Sequence, residues 1–186
     1  MTTPLQVTAN RLRVAVTDDE HIRGTLDAPV TLVQYADFQC QNCRAAHPNL
    51  TEVLRQRPET VRLVFRHFPL ANVHPYAEIV AETAEAAGDH GCFWELHDWI
   101  FEHQDQLDPV HLALGAEQVG LPVDQVVEEV NANTRLDRIH RDFVNGIYSG
   151  VNATPTIFVN GVRHDGGYSV AELLKAVDQA ASAREA

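Results

Sequence analysis

The sequence predicts an α/β fold in which two groups of strands are separated by a long block of helices. Two β-rich apolar runs, residues 30–36 and 61–68, enclose a segment with helical spacing. Residues 74–148 carry mainly helical patterns, broken at glycine, proline and asparagine. β character returns at residues 156–159. The expected order is therefore strand, helix, strand, several helices, strand, hairpin partner and helix.

The first strand and helix are defined by apolar spacing and by prolines. Residues 30–36 read Val-Thr-Leu-Val-Gln-Tyr-Ala, which suits a buried central strand. Helical spacing then covers residues 40–57 and ends at Pro58. Pro48 lies inside this helix, where it cannot donate to the carbonyl of Arg44. A kink is expected there.

The later elements follow from the same rules. A strand at residues 61–68 ends at Pro69, and helical patterns cover 74–87, 92–103, 110–130 and 134–148. The β-branched run before Asn160-Gly161 predicts a strand and a hairpin turn. Ser169 and Glu172 have the spacing of a capping box, so they predict the start of a terminal helix.

Composition narrows the class of function. The chain has 186 residues, of which 45% are hydrophobic and 22% charged, as in an ordinary globular protein of one domain. Its net charge of −12 makes a nucleic-acid partner a poor expectation. The first ten residues lack the pattern of a secretory signal, and no stretch reaches the length of a membrane span. A cytoplasmic location without membrane insertion is therefore expected, and the oligomeric state stays open.

Two cysteines carry the main chemical signal. Cys40 and Cys43 stand at positions i and i+3 where the first strand passes into its helix. Unsatisfied N–H groups at a helix start favour a thiolate, so Cys40 is expected to be the nucleophile and Cys43 to be shielded. Such a pair performs thiol-disulfide exchange through a mixed disulfide. The spacing alone also occurs in metal sites and in inert pairs.

The metal alternative needs further ligands. The chain has no second cysteine pair but contains ten histidines. A zinc site built from Cys40, Cys43, His47 and another histidine is conceivable, although a packing or surface role for His47 is simpler. Cys92 stands alone and is interpreted as a small hydrophobic or incidental thiol.

A second signal is a proline at the start of the late strand. Pro155 precedes the apolar run 156–159, where proline cannot donate to a strand ladder. Prolines at such functional turns are often cis, while a trans proline on an edge strand is the alternative.

Together these segments resemble the thioredoxin superfamily, and within it the DsbA-like branch whose core carries a helical insertion. Residues 37–48, Asp-Phe-Gln-Cys-Gln-Asn-Cys-Arg-Ala-Ala-His-Pro, are similar to the active-site turn and helix of that family. Residues 66–70 and 91–98 are similar to the next strand end and an insertion helix. Residues 154–161, Thr-Pro-Thr-Ile-Phe-Val-Asn-Gly, are similar to the cis-proline strand and hairpin.

The resemblance implies a thioredoxin fold, with a core at about 24–72 and 148–186 and a helical insertion at about 73–147. It implies that Cys40 attacks and Cys43 resolves, while Thr154 and Pro155 contact the substrate chain. Protein thiols and disulfides would be substrates, with a redox protein or glutathione as partner. No cofactor and no metal are implied. A redox-inactive binding or chaperone-like module on the same fold is the other reading.

Two positions depart from the family pattern. The active-site dipeptide Gln41-Asn42 replaces the proline-containing pairs that are common in this branch, which leaves the direction of electron flow open. Gln34 stands where many relatives carry a buried acid. An amide cannot exchange a proton as a carboxylate does, so acid-base catalysis from this position is in doubt.

Overall fold

The computed structural model describes residues 10–185, which form a mixed five-stranded sheet and seven helices. The strand predicted at residues 30–36 is confirmed, since the second strand has those bounds. The strands are β1 (His21–Arg23), β2 (Val30–Ala36), β3 (Val61–His67), β4 (Thr156–Val159) and β5 (Val162–Arg163). The helices are α1 (Gln41–Gln56), α2 (Ala77–Asp89), α3 (Phe93–Glu102), α4 (Pro109–Gln118), α5 (Val123–Asn131), α6 (Leu136–Tyr148) and α7 (Val170–Glu185).

The sheet has the order β1-β3-β2-β4-β5. β2 and β3 are parallel, as expected for strands joined by a helix, and the other three pairings are antiparallel. β4 and β5 are joined by the turn at Asn160 and Gly161, both with positive φ. β2 therefore lies at the centre of the sheet, and its carboxyl end leads into α1.

Helices cover both faces of this sheet. Even-numbered residues of β2, such as Val30 and Leu32, pack with α1 and α7. Odd-numbered residues, such as Val33 and Tyr35, pack with Phe68 and with Phe143 of α6 on the other face. This alternation follows from the two-residue period of a strand.

The block of helices α2–α6 separates β3 from β4 in the chain. Buried side chains of α2, α3, α4 and α5 form one apolar cluster with the end of β2 and with both Cys40 and Cys43. The helical block thus lies directly against the turn that carries the cysteines. No helix within residues 10–185 is long and apolar enough to cross a membrane.

The structure adds one strand to the sequence expectation and confirms one break between helices. β1 at His21–Arg23 was not predicted, and it lies before the expected start of the core at residue 24. Its three half-buried residues are too few to show a pattern. The helical pattern of residues 110–130 is divided into two helices at the glycine and proline that predict a break, since the chain turns at Gly120 with positive φ before Pro122.

One arginine lies wholly inside the protein. Arg66 on β3 is 2% exposed, and its guanidinium forms a bidentate pair with Glu20 at 2.7 and 2.8 Å. It also donates to the carbonyls of Val14 and Ala15 and to the hydroxyl of Tyr35. This side chain thus binds the segment before β1 to the sheet at three residues, Val14, Ala15 and Glu20.

Candidate active site

The two cysteines of the β2–α1 connection occupy different environments. Cys40 is the N-cap residue of α1 and keeps 8% of its surface exposed, whereas Cys43 lies in the first turn and is fully buried. Both are free thiols in this structure. Gln41 and Asn42 between them are exposed, so the dipeptide forms the outer face of the turn.

The sulfur of Cys40 is strongly stabilised as a thiolate. Its pKa is lowered to about 5, first by the hydrogen bond from the Cys43 thiol, against the opposing effect of burial. The Thr154 side chain and the N–H groups of Cys43 and Asn42 lower it further. Burial raises the pKa of the Cys43 thiol well above its ordinary value, and the hydrogen bond to Cys40 adds to this rise. At neutral pH the pair therefore holds one thiolate and one thiol.

The loop before β4 lies directly against this pair. The Thr154–Pro155 peptide bond is cis, and the Cys40 sulfur lies 3.3 Å from the carbonyl oxygen of Thr154, to which it donates when it is protonated. The hydroxyl oxygen of Thr154 is buried and has no hydrogen-bond partner in the described part of the chain. Ionisation of Cys40 would give that hydroxyl an acceptor, because a thiolate accepts hydrogen bonds.

A third group, not found by the sequence analysis, supports the proline. Tyr168 donates its hydroxyl to the carbonyl of Pro155 at 2.6 Å. Its ring is half-buried, and burial raises the pKa of its phenol. Tyr168 lies thirteen residues from Pro155, beyond the β4–β5 hairpin, and no pattern in the sequence connects the two.

The turn that carries Cys40 is organised by Asp37. This carboxylate is fully buried and accepts from the N–H groups of Gln39 and Leu70, each at 2.7 Å. Its second oxygen also lies 2.8 Å from Nδ1 of His74. The backbone carbonyl of Asp37 accepts from the N–H of Cys40. Asp37 thus ties the end of β2 to the loop after β3.

The helical block reaches the same turn through Gln104. Its side-chain amide donates to the carbonyl of Phe38 at 2.7 Å and to the carbonyl of Cys40 at 2.9 Å. Gln104 is buried and follows α3. Both hydrogens of one amide group therefore fix the backbone on each side of Gln39.

Gln34 faces the same side of the sheet as α1, and it is 1% exposed. Within residues 10–185 its Nε2 atom has no hydrogen-bond partner. The side chain is a buried amide rather than an acid, as the sequence states, and it leaves one polar group unsatisfied in the interior.

The conceivable cysteine–histidine zinc site is not assembled. No group of three or more metal-binding side chains among residues 10–185 includes either active-site cysteine. His47 instead stacks on Phe101 at a centroid distance of 5.2 Å and lies beside His97 and Asp98. Cys92 precedes α3, is half-buried, and directs its sulfur to the carbonyl of His90 at 3.6 Å.

Both the sequence and the fold of this chain are similar to those of known proteins. The thioredoxin family model matches residues 16–179. The chain is 46% identical over 168 residues to "Na(+)/H(+) antiporter NhaA 3" of Salinispora tropica, which covers 90% of this chain and 26% of that protein. The chain thus spans about a quarter of the length of the curated relatives it matches.

Solved structures agree with the family model. A thioredoxin-like oxidoreductase from Silicibacter pomeroyi DSS-3 superimposes with a TM-score of 0.80 at 25% identity, covering 91% of this chain and 95% of that one. The alpha-DsbA1 protein of Wolbachia pipientis gives a TM-score of 0.79 at 20% identity, covering 90% and 94%. The chain belongs to the thioredoxin family, and its fold is that of the DsbA-like proteins in this superfamily.

Proposed function

We propose that this domain exchanges disulfides with protein substrates through Cys40 and Cys43. The observation that carries the proposal is the opposite displacement of the two pKa values, with Cys40 at about 5 and Cys43 raised. A nucleophile must be ionised at neutral pH, whereas the second thiol must stay protonated until a mixed disulfide has formed. The neighbouring carbonyl of Thr154 supports a role of the loop in contacting a substrate backbone.

The reaction follows from these assignments. In the reducing direction the Cys40 thiolate attacks a substrate disulfide, forming a mixed disulfide and releasing a substrate thiolate. Cys43 then loses its proton and attacks the Cys40 sulfur, so the second substrate thiolate leaves and the Cys40–Cys43 disulfide forms. In the oxidising direction a substrate thiolate attacks the sulfur of Cys40, and the same steps run backwards.

The stabilised thiolate of Cys40 also favours one direction of electron flow, from the substrate to this domain. Any interaction made by the Cys40 thiolate, but not by the disulfide, stabilises the dithiol form and raises the reduction potential of the pair. We therefore propose that the domain accepts electrons from substrate thiols more readily than an unfolded dithiol does. Equilibration with glutathione buffers measures this potential directly, and a value below that of an unfolded dithiol contradicts this direction.

Trapping of mixed disulfides tests the exchange itself. The Cys43→Ser variant, mixed with oxidised and unfolded ribonuclease A, should accumulate a covalent complex that disappears with dithiothreitol, because attack remains and resolution is lost. Cys40→Ser should form no such complex. Cys92→Ala is the matched control and should exchange at the wild-type rate. If only the Cys40→Ser variant, which retains Cys43, traps the substrate, the two roles are reversed. If neither variant traps it, the proposal fails.

A further inference from the structure

A second cluster of chemically capable side chains lies outside the cysteine site, where β1, β3 and α2 meet. His21 and His67 each place their Nε2 atom 2.8 Å from the same oxygen, Oε1 of Glu85. The side chains of His67 and Glu85 are 1% and 3% exposed, and that of His21 is 13% exposed. Two imidazoles and one carboxylate therefore converge on one point, with all ligand atoms within 4.8 Å of one another.

The fold holds the two imidazole rings in place. His21 of β1 lies opposite Phe65 of β3, and His67 follows Phe65 by two residues, so both histidines are on one face of the sheet. The ring of Phe93 stacks on His21 at a centroid distance of 3.5 Å and meets His67 edge-on at 6.2 Å. Such packing orients ligand atoms before any ion arrives.

The charged groups around the cluster suit a cation. Arg138 of α6 places its Nε atom 3.0 Å from the second oxygen of Glu85, so the carboxylate forms an ion pair there. Glu82 lies one helical turn before Glu85, is 2% exposed, and has an Oε1 atom without a hydrogen-bond partner in the described chain. Two carboxylates thus lie at this end of the sheet, with Arg138 beside Glu85 and the N–H of Arg135 donating to the second oxygen of Glu82.

We propose that His21, His67 and Glu85 bind a divalent transition-metal ion, for which zinc is the best match. Zinc takes imidazole nitrogen and carboxylate oxygen, and two histidines with one glutamate is an established zinc ligand set. Each imidazole would bind through the lone pair of Nε2 and carry its proton on Nδ1, so both rings stay neutral. A water molecule would complete the coordination, and the ion would connect β1, β3 and α2.

Cobalt binding to the oxidised protein tests this site. The Cys40–Cys43 disulfide and alkylation of Cys92 remove the thiols as ligands, and an untagged protein removes added histidines. We expect one cobalt ion per chain, with a visible absorption band that zinc displaces. His21→Ala changes the most exposed ligand and should weaken binding at least about tenfold. His47→Ala, in the separate group of His47, His97 and Asp98, is the matched control and should bind normally.

Two results overturn the proposal. One is the lack of stoichiometric cobalt or zinc binding by the wild-type protein. The other is unchanged binding by both His21→Ala and Glu85→Gln, each checked for folding by circular dichroism. Anomalous scattering from crystals grown with zinc locates the ion without any variant. A peak between His21 and Glu85 supports the site, and a peak only at His47 or elsewhere excludes it.

Discussion

At the residue scale, the Cys40 sulfur receives stabilisation from groups that come from two distant parts of the chain. The Cys43 thiol and the backbone N–H groups belong to α1, while Thr154 belongs to the loop before β4. Burial opposes these contacts, yet the pKa falls to about 5. Hydrogen bonds to the charged form therefore outweigh desolvation at this thiol.

This balance predicts the pH dependence of alkylation. In a reduced Cys92→Ala protein, the rate of reaction of Cys40 with iodoacetamide should rise through about pH 5 and be nearly constant from pH 7 to 8, since the thiolate is the nucleophile. An ordinary cysteine, with a pKa of about 8.5, would still gain reactivity over that interval. Cys43→Ala removes the largest cause and should move the midpoint upward. A midpoint that stays in place would show that Cys43 is not the main donor.

Gln104 gives a second prediction at this scale. Gln104→Leu removes both donors from the Phe38 and Cys40 carbonyls, and an unsatisfied buried carbonyl costs about 1–3 kcal/mol. The free energy of unfolding, measured with urea, should fall by about that amount. Gln106→Leu changes an exposed glutamine two residues away and should leave stability nearly unchanged. If both variants lost the same amount of unfolding free energy, a specific role of the Gln104 amide would be contradicted.

At the scale of elements, the terminal helix begins at a capping arrangement. Ser169 accepts from the N–H of Glu172 at 3.3 Å and donates to the Glu172 carboxylate at 2.5 Å. The other oxygen of this carboxylate accepts from the N–H of Gly167, two residues before the position that donates in a standard capping box. α7 then packs Leu173 and Val177 into the core.

Removing this cap should destabilise the protein modestly. Ser169→Ala should lower the free energy of unfolding by about 1 kcal/mol, because the N–H of Glu172 at the start of α7 loses its acceptor. Ser182→Ala is the matched control, since Ser182 lies inside α7 and bonds only to the carbonyl of Asp178 in the described chain. The free energy of unfolding of Ser182→Ala should be close to that of the wild type. Thermal or urea unfolding of both variants distinguishes a cap from a general preference for serine.

The elements also show what local sequence pattern can and cannot predict. Apolar spacing placed β2 and the helix after Cys40 closely, because both depend on neighbours within a few residues. β1 was missed, since a three-residue strand forms only by pairing with β3. The contacts of Asp37 with Leu70 and of Gln104 with Cys40 span 33 and 64 residues. Such contacts depend on the complete fold, and no local pattern encodes them.

At the scale of the whole molecule, the thiolate of Cys40 couples oxidation state to stability. An unfolded cysteine titrates near a pKa of about 8.5, whereas folded Cys40 titrates at about 5. A group whose pKa is lower in the folded state stabilises that state. This stabilisation is complete at pH values above the pKa in the unfolded state, and it is lost as the pH falls through the pKa in the folded state. Only the reduced protein contains this thiol. Its stability relative to the oxidised protein should therefore rise between about pH 5 and pH 8.

Urea unfolding of both oxidation states at pH 5, 6, 7 and 8 measures this effect in a Cys92→Ala background. The difference in unfolding free energy, reduced minus oxidised, should increase at each step. Other titrating groups are common to both forms and largely cancel. A difference that is independent of pH would mean that the folded thiol titrates like an unfolded one.

Arg66 has a consequence for how the protein opens. Residues 14–20 contain no helix or strand, yet they are bonded to this guanidinium at the carbonyls of Val14 and Ala15 and at Glu20. Detaching the segment would leave a charged group unpaired in the interior, which is costly. The segment of residues 14–20 therefore does not separate from the sheet more easily than β3 opens locally. Although it has the backbone of a loop, this segment belongs to the same cooperative unit as the central sheet.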